Sequence, residues 1–352
     1  MTCALRRTNF AMTLSALAAG LWLAGSLSQG LAAAETKSVK QRLLGLTGGR
    51  RAKVVWNQGE KDGVPLIQYY DTREDAVVEV PFPGQQAWLT PDGLRIVALA
   101  GKTDADRALK LYDTESKAVA TLTTGPDCYP IAVWNDPKTK RDWVYVNDCG
   151  AGGDRQRAWD AGRDKVYRFP IDKPEERELF WDRTTSHEFL MFSADGSHAC
   201  FAPTFNTIGQ LKFAFDAKGK VDQDKSVFKP VGNGCFPGGA PDNSYRLFRL
   251  DGDHHTITMC DEGGARPRKI KVSGMPGVAE KGRNTWLTRW STHPRFLTLV
   301  APAGTDAHIW MGRFDAKFTA IEAWVQVSAD GPQCWKSHSW VEGGPSSAKS
   351  RR

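Results

Sequence analysis

The feature that most constrains the fold is a short pattern that the chain repeats about every fifty residues. Residues 65–80 read PLIQYYDTREDAVVEV and residues 109–122 read LKLYDTESKAVATL, so each has a turn that opens on Asp-Thr between two strand patterns. Three later segments restart in a similar way, GPDCYP at 125–130, GNGCFP at 232–237 and GPQCW at 331–335. Repeats of this length, built from short alternating strands, are typical of radial all-β repetition, the β-propeller.

Turn signals divide the repeats into blades of four antiparallel strands. Pro91-Asp92-Gly93, Ala194-Asp195-Gly196 and Pro241-Asp242-Asn243 each follow an apolar strand pattern and favour a tight turn. Ser291-Thr292-His293-Pro294 stands at the corresponding place of a later repeat, where we expect His293 to cap the turn rather than to act in catalysis. The spacing predicts an all-β, six-bladed propeller, with seven blades as the rival count.

The last repeat is incomplete, and this indicates how the ring closes. Residues 331–344 match the start of a blade and lack the rest of one, whereas residues 52–58 and 65–80 supply strands without a first strand. We therefore expect the C-terminal strand to pair with the N-terminal strands and to become the inner strand of their blade. Such closure removes an open sheet edge that would otherwise invite aggregation.

The N-terminus has the pattern of an export signal. Arg6 and Arg7 precede an apolar run from about Phe10, and Ala32-Ala33-Ala34 offers a small-residue cleavage site before Glu35. No second hydrophobic span follows, so we expect a soluble chain without a membrane span after signal removal, either secreted or periplasmic. The expected organisation is a signal peptide at 1–34, a linker at 35–43, one propeller domain at 44–342 and a disordered tail at 343–352.

Charge argues against nucleic acid as a partner. The formal net charge is +7, and losing Arg6 and Arg7 with the signal leaves +5, spread without a compact basic run before the final residues. A nucleic-acid footprint would concentrate that charge on one face or segment. We expect a monomer whose ligand is a protein or a carbohydrate.

Cysteine usage is consistent with export. Cys3 would leave with the signal, and the remaining six cysteines are an even number, which favours disulfides in an exported chain. A hairpin centred on residues 136–140 places Cys128 opposite Cys149, so we predict that these two are bridged. The connectivity of the other four cysteines stays open.

Three hairpin segments resemble the strand–turn signature of TolB-like, WD-repeat-like bacterial propellers: AWLTPDG at 87–93, LMFSADG at 190–196 and GGAPDN at 238–243. The resemblance covers most of residues 44–341. It implies an exported six-bladed propeller with binding duties, and it supplies no catalytic residues because propellers host many unrelated functions.

The repeat register places one residue of each blade at the start of its inner strand, where the strands converge on one mouth of the axial channel. These candidate binding residues, with one aromatic neighbour, are Gln86, Cys128, His187, Cys235, Asn284, Cys334 and Trp335. The three cysteines and His187 of this set could bind a soft metal ion. The alternative is that the cysteines have only a structural role. We predict no cofactor, with a metal ion at the channel as the alternative.

The function predicted from these features is that of a protein- or glycan-binding scaffold that uses one mouth of its axial channel. The alternative is a carbohydrate-active enzyme, a polysaccharide lyase or hydrolase, in the same pocket. His187 and Gln86 are similar in position to the axial metal-site residues of propeller-type oligogalacturonide lyases, but the other histidines fall elsewhere. No Ser-His-Asp set, G-x-S-x-G elbow or H-E-x-x-H helix can be identified, so we predict no catalytic residue.

Overall fold

Six four-stranded antiparallel sheets make up the fold. The structure is a computed structural model that describes residues 37–103, 105–125, 128–148, 165–183, 190–204, 207–217, 219–276, 278, 285–302, 304 and 306–345. Within these residues, the chain from Ser38 onward forms one compact unit.

The strands follow one another along the chain with one helix before them. In the first half they are α1 (Val39–Thr47), β1 (Ala52–Lys61), β2 (Val64–Asp71), β3 (Ala76–Glu79), β4 (Gly84–Leu89), β5 (Arg95–Ala100), β6 (Ala108–Asp113), β7 (Val119–Thr124), β8 (Tyr129–Asn135), β9 (Asp142–Asp148), β10 (Lys165–Pro170) and β11 (Glu178–Trp181). In the second half they are β12 (Met191–Phe192), β13 (His198–Thr204), β14 (Thr207–Phe215), β15 (Val221–Gly232), β16 (Cys235–Gly239), β17 (Leu247–Leu250), β18 (Thr256–Cys260), β19 (Arg268–Lys271), β20 (Trp286–Trp290), β21 (Phe296–Ala301), β22 (His308–Phe314), β23 (Ile321–Gln326) and β24 (Cys334–Val341). A single 3-10 turn, Glu262–Gly264, lies between β18 and β19.

The sheet order confirms the six-bladed propeller and its closure. Blade 1 has the order β24-β1-β2-β3, and blades 2 to 6 take their four strands consecutively from β4 to β23. Strand β24 pairs antiparallel with β1 from Ala52↔Val341 to Gln58↔Cys334. The inner strands β24, β4 and β8 contact one another in sequence, as do β12, β16, β20 and β24. The C-terminal strand therefore completes the blade that the N-terminal strands begin.

Tryptophans at the ends of inner strands join neighbouring blades at the predicted turns. Trp340 of blade 1 donates its indole N–H to Pro91 O at 2.9 Å, and Trp134 of blade 3 donates to Ser193 O at 3.2 Å. In each turn a glycine with positive φ lies under the ring, and a Cβ atom there would overlap the ring. The turn glycine is therefore required both by the left-handed backbone and by the packing of the next blade.

The repeated Asp-Thr pair fastens the outer turns of blades 1 and 2. Thr72 N–H donates to Ala52 O at 3.0 Å, and Thr114 N–H donates to Leu94 O at 2.8 Å, so each threonine ties its turn to the second strand of its own blade. Asp71 accepts the N–H of Arg73 at 2.9 Å, which closes the turn. The repeated Asp-Thr pair therefore has a structural role in these turns.

Helix α1 is an element that the strand pattern does not predict. Ser38 and Gln41 form a capping box at its start, and Gly48 ends it in the left-handed conformation. Leu43 and Leu46 are buried in the cluster that also contains Val54 and Ile309. No helix among the described residues is long and apolar enough to cross a membrane.

Candidate functional site

A β-bulge recurs near the start of the inner strands and shapes one mouth of the channel. In four blades one non-glycine residue at the bulge has a positive φ: Gln86 (52°), Phe236 (49°), Leu287 (53°) and Lys336 (47°). Non-glycine residues rarely adopt this conformation, and bulges commonly re-aim a side chain. The repetition at equivalent positions indicates that the bulge is part of the blade design and not a local irregularity.

Polar side chains of three blades meet at this level. Gln86 Nε2 donates a hydrogen bond to the hydroxyl of Tyr129, and Lys336 Nζ donates to the same hydroxyl at 3.2 Å. Gln86 and Tyr129 are buried, whereas Lys336 is half-buried. Gln86 Oε1 is buried and has no hydrogen-bond partner within the described part of the chain. A buried amide oxygen without a donor is costly, and because Gln86 is fully buried, a ligand could reach this atom only after neighbouring side chains moved.

Aromatic side chains of blades 5 and 6 lie at the same end of the inner strands. Trp286 is 45% exposed, and the imidazole of His254 lies 6.4 Å from its ring and 6.2 Å from the ring of Phe236. The carbonyl of His254 accepts hydrogen bonds from both the N–H and the hydroxyl of Thr285, at 3.1 and 2.7 Å. Burial lowers the pKa of His254, so its imidazole is neutral near pH 7.

We define the axial mouth as the six residues that these contacts bring to one end of the inner strands: Gln86, Tyr129, Phe236, His254, Trp286 and Lys336. The set contains an amide, a phenol, an ammonium group, an imidazole and an exposed indole. Such a set of side chains offers hydrogen bonds and an aromatic face.

Large buried side chains of three inner strands pack together further along from the mouth. The Arg289 guanidinium lies 4.0 Å from the centroid of the Trp88 ring, and the Trp88 ring lies 5.0 Å from the imidazole of His338. Leu89 N–H donates to His338 Nδ1 at 3.1 Å. Burial and the charge of Arg289 hold the pKa of His338 well below its ordinary value.

The structure brings some of the predicted site residues to this mouth. Gln86 is part of the axial mouth, and Trp335 is half-buried at the start of β24, where it pairs with Asn57. Cys128 and Cys334 are buried, and Cys235 is half-buried. His187 and Asn284 lie outside the described residues, so their predicted place at the mouth stays a prediction.

The two cysteines of blades 5 and 1 do not occupy equivalent positions. Cys235 pairs with Leu250 directly before its bulge, whereas Trp335 holds that place in β24 and Cys334 comes one residue earlier. Burial raises the pKa of the Cys334 thiol to about 11 and also raises that of Cys235. Across the described residues, no three His, Cys, Asp or Glu side chains are grouped to hold a metal ion.

The predicted disulfide involves a residue that the structure does not describe. The hairpin of β8 and β9 follows the predicted register from Asn135↔Asp142 to Ala132↔Tyr145. A bulge between Pro130 and Ala132 then shifts the register by one residue, so that Tyr129 pairs with Asn147. Cys149 lies outside the described residues. Cys200, Cys235, Cys260 and Cys334 carry free thiols in this structure.

One serine and one histidine adopt a spacing that superficially suits nucleophilic catalysis. Ser197 Oγ lies 2.7 Å from His198 Nδ1, and His198 Nε2 lies 3.4 Å from a carboxylate oxygen of Glu262. However, the Ser197 hydroxyl also lies 2.8 and 2.9 Å from the two carboxylate oxygens of Asp195, the turn residue of blade 4. The pKa of Asp195 is about 2, so this carboxylate is a weak base. The geometry is therefore that of a turn that binds its own serine.

Sequence reasoning missed five residues of the axial mouth: Tyr129, Phe236, His254, Trp286 and Lys336. Tyr129 and Phe236 directly follow the predicted Cys128 and Cys235, and Lys336 follows the predicted Trp335. The signal that could have found Tyr129 and Phe236 is the aromatic residue after the cysteine of each restart, whereas His254 and Trp286 do not belong to a restart.

Comparison with known proteins supports the fold. No protein-family model and no curated protein matches this sequence. Among solved structures, TolB from Acinetobacter baumannii is similar with a TM-score of 0.57 at 13% identity, over 84% of this chain and 69% of that one. A chain of the nidogen/laminin complex is similar with a TM-score of 0.50 at 8% identity, over 82% of this chain and 98% of that one. At such low identities the similarity establishes the propeller fold and does not extend to activity.

Proposed function

We propose that this protein is an exported binding module that holds a glycan at its axial mouth. The observation that carries the proposal is that Gln86, Tyr129 and Lys336 meet at one end of the inner strands, and that an exposed indole, Trp286, lies at the same end. The export signal predicted at residues 1–34 supports an extracellular or periplasmic location. A monomer would suffice, because one propeller presents the complete mouth.

The chemistry of the mouth favours a sugar as the ligand. A sugar ring has an apolar face that stacks on an exposed indole and hydroxyls that both donate and accept hydrogen bonds. The half-buried Lys336 ammonium donates to ligand oxygens. A protein that inserts a polar loop is the other ligand class. A glycan array distinguishes a sugar ligand from a protein ligand.

Binding is favoured over hydrolysis at this site. Most glycoside hydrolases use two carboxyl groups on either side of the scissile bond. The six residues of the axial mouth include none, and its titratable members are Tyr129, His254 and Lys336. A binding site needs only complementary surface, which this mouth has.

A glycan array tests the proposal directly. The chain from residue 35 to 352 would be labelled and screened, and the strongest ligand would then be titrated by calorimetry. Trp286→Ala should weaken binding about tenfold or more, because about 1.4 kcal/mol of stacking is within the range for a buried aromatic contact.

The matched control is Phe215→Ala, which removes another exposed aromatic side chain, 39% exposed at the end of β14. It should leave the affinity unchanged. An array without any ligand, together with capture of a protein whose binding depends on Trp286, would replace the glycan with a protein ligand. Equal losses in both variants would remove the axial mouth from the proposal.

A further inference from the structure

A second concave site lies between blades 3 and 4, and it shares no residue with the axial mouth. The cavity has a volume of about 410 Å³, and its lining includes Trp181, Arg183, Phe201, Pro203 and Phe228. We call it the rim cleft. Trp181 ends β11, the outermost strand of blade 3, whereas Phe201 and Phe228 belong to β13 and β15 of blade 4. Its volume is in the range of pockets that hold small molecules.

The apolar wall of the rim cleft is built around one glycine. Phe201 is buried, and its ring centroid lies 5.0 Å from that of Phe228. Gly209 on β14 pairs with Phe201 in the sheet, and a Cβ atom on it would overlap the Phe228 ring. The absence of that Cβ lets Phe228 lie close over the strand. Two aromatic rings thereby form a wall that suits a flat apolar ring.

The indole of Trp181 supplies the second, independent observation. Trp181 is only 3% exposed, and its Nε1–H is buried without an acceptor in the described chain. Eight other described tryptophans donate this hydrogen to a protein oxygen: Trp56, Trp88, Trp134, Trp143, Trp290, Trp310, Trp324 and Trp340. A buried donor left unpaired costs about 1–3 kcal/mol, so an acceptor brought by a ligand would recover that loss.

The charges around the cleft select an uncharged acceptor. Arg183 lies 5.6 Å from the Trp181 ring centroid, and its guanidinium is 3.2 Å from Asp224 and 3.9 Å from Asp182. Two carboxylates beside one guanidinium leave a local excess of negative charge. A ligand carboxylate would be repelled, whereas a carbonyl oxygen accepts the indole hydrogen without that cost.

We propose that the rim cleft binds a small uncharged ligand in which an apolar ring stands next to a carbonyl oxygen. The ring packs on the wall that Phe201 and Phe228 form, and the carbonyl accepts the hydrogen of Trp181 Nε1. A free aromatic amide and a phenylalanine residue of a peptide share this chemistry.

The test uses ¹⁹F NMR titrations of the chain from residue 35 to 352 with three probes. 4-Fluorobenzamide carries the ring and the carbonyl, fluorobenzene lacks the carbonyl, and 4-fluorobenzoate carries a charge. A dissociation constant of about 1 mM is expected for the benzamide, as is normal for a ligand of this size. The other two probes should bind at least about fivefold more weakly. N-Acetyl-4-fluorophenylalanine amide, titrated in the same way, reports whether the peptide form fits as well.

Trp181→Phe keeps an aromatic ring and removes the donor. It should weaken the benzamide about tenfold and leave fluorobenzene unchanged, as expected for one lost hydrogen bond. The matched control is Trp143→Phe, on the same blade, whose indole already donates to Thr139; it should not affect either probe.

Benzamide binding that is equal in the parent and in Trp181→Phe would overturn the proposal, as would no binding of any probe at 10 mM, about tenfold above the expected constant. The glycan titration of the axial mouth is a separate measurement. Its result with Trp286→Ala does not depend on the rim cleft, so the two proposals can fail independently.

Discussion

At the scale of single residues, the turn between the first and second strands of a blade is closed by an aspartate in some blades and by a histidine in another. In blades 2, 4 and 5 the third residue of the turn between the first two strands is an aspartate that accepts the backbone N–H two residues later: Asp92 from Leu94 at 2.9 Å, Asp195 from Ser197 at 3.0 Å and Asp242 from Ser244 at 3.0 Å. In blade 6, His293 Nδ1 accepts from Arg295 N–H at 3.2 Å in the same place. An imidazole nitrogen can replace the carboxylate only while it is unprotonated.

This replacement predicts a pH-dependent contribution to stability from His293. Burial, with the charges of Arg50 and Arg295, lowers the pKa of His293 to about 4, whereas an unfolded histidine titrates near about 6.5. Between these values the unfolded chain binds a proton that the folded chain does not. The contribution is therefore complete above about pH 6.5 and is lost as the pH falls toward 4, by at most about 3 kcal/mol.

Urea unfolding of the parent and of His293→Asp, at intervals from pH 4 to pH 8, measures this contribution. The aspartate keeps the acceptor and should remove most of the decline below pH 6.5, so the two stability curves should diverge as the pH falls. His293→Ala leaves the Arg295 N–H unpaired and should cost about 1–3 kcal/mol at pH 7. Parallel curves for the parent and His293→Asp would show that His293 is protonated in the fold.

At the scale of elements, turns and bulges differ in how far a sequence reveals them. Pro91-Asp92-Gly93 is readable because each residue has a distinct backbone preference, and the structure places a turn there. The bulges cannot be predicted from the sequence in the same way. Gln86 and Lys336 adopt a left-handed conformation that neither residue type favours, so the backbone preferences of these residues do not indicate a bulge.

The bulges explain why the candidate site was located only approximately. A strand pattern assumes that successive side chains alternate, but a bulge inserts one residue and shifts every later position. The strand pattern therefore predicted Gln86, which lies near the start of β4, but not Tyr129 and Lys336, which lie next to predicted positions. The predicted His187 and Asn284 lie outside the described residues. The site depends on the register of neighbouring blades, which one blade alone does not specify.

The contact between a tryptophan and the next turn makes a prediction for Gly196. Gly196 has a φ of 71°, and a Cβ atom on it would overlap the Trp134 ring; Gly219 has a φ of 77° with no atom within 4 Å. Gly219→Ala should cost about 1–2 kcal/mol, the backbone cost alone. Gly196→Ala should cost that amount plus the displacement of Trp134, in total about 3 kcal/mol or more.

Urea midpoints of the two variants provide the measurement, and a double-mutant cycle identifies the cause. In a Trp134→Ala background, Gly196→Ala should lower the free energy of unfolding only as much as Gly219→Ala does. The reason is that the ring that its Cβ atom would overlap is absent. Equal costs of the two alanines in the parent protein would show that the tryptophan does not hold the turn.

At the scale of the whole molecule, stability depends on a single pairing between the two ends of the ring. Strand β24 is mostly buried and supplies Lys336 to the axial mouth and Trp340 to the turn of blade 2. Without it, β1 would become an exposed inner edge, and the layer of Trp88, Arg289 and His338 would lose one member. The sequence indicated this closure because its last blade was incomplete, and the count of six follows from the same observation.

Truncation and permutation together test the closure. A chain that ends at Gln333 lacks β24 and should aggregate or lose its cooperative unfolding transition, whereas a chain that ends at Pro345 should unfold like the full chain. A permuted chain that places residues 334–345 ahead of Ser38 restores the same pairing, since Val341 lies opposite Ala52. It should recover the cooperative transition, because the new chain ends fall in the turn before β24 and every ladder of blade 1 remains. If the chain ending at Gln333 instead melts at the temperature of the full chain, the closing strand adds nothing to stability, and the axial mouth would have to form without Lys336.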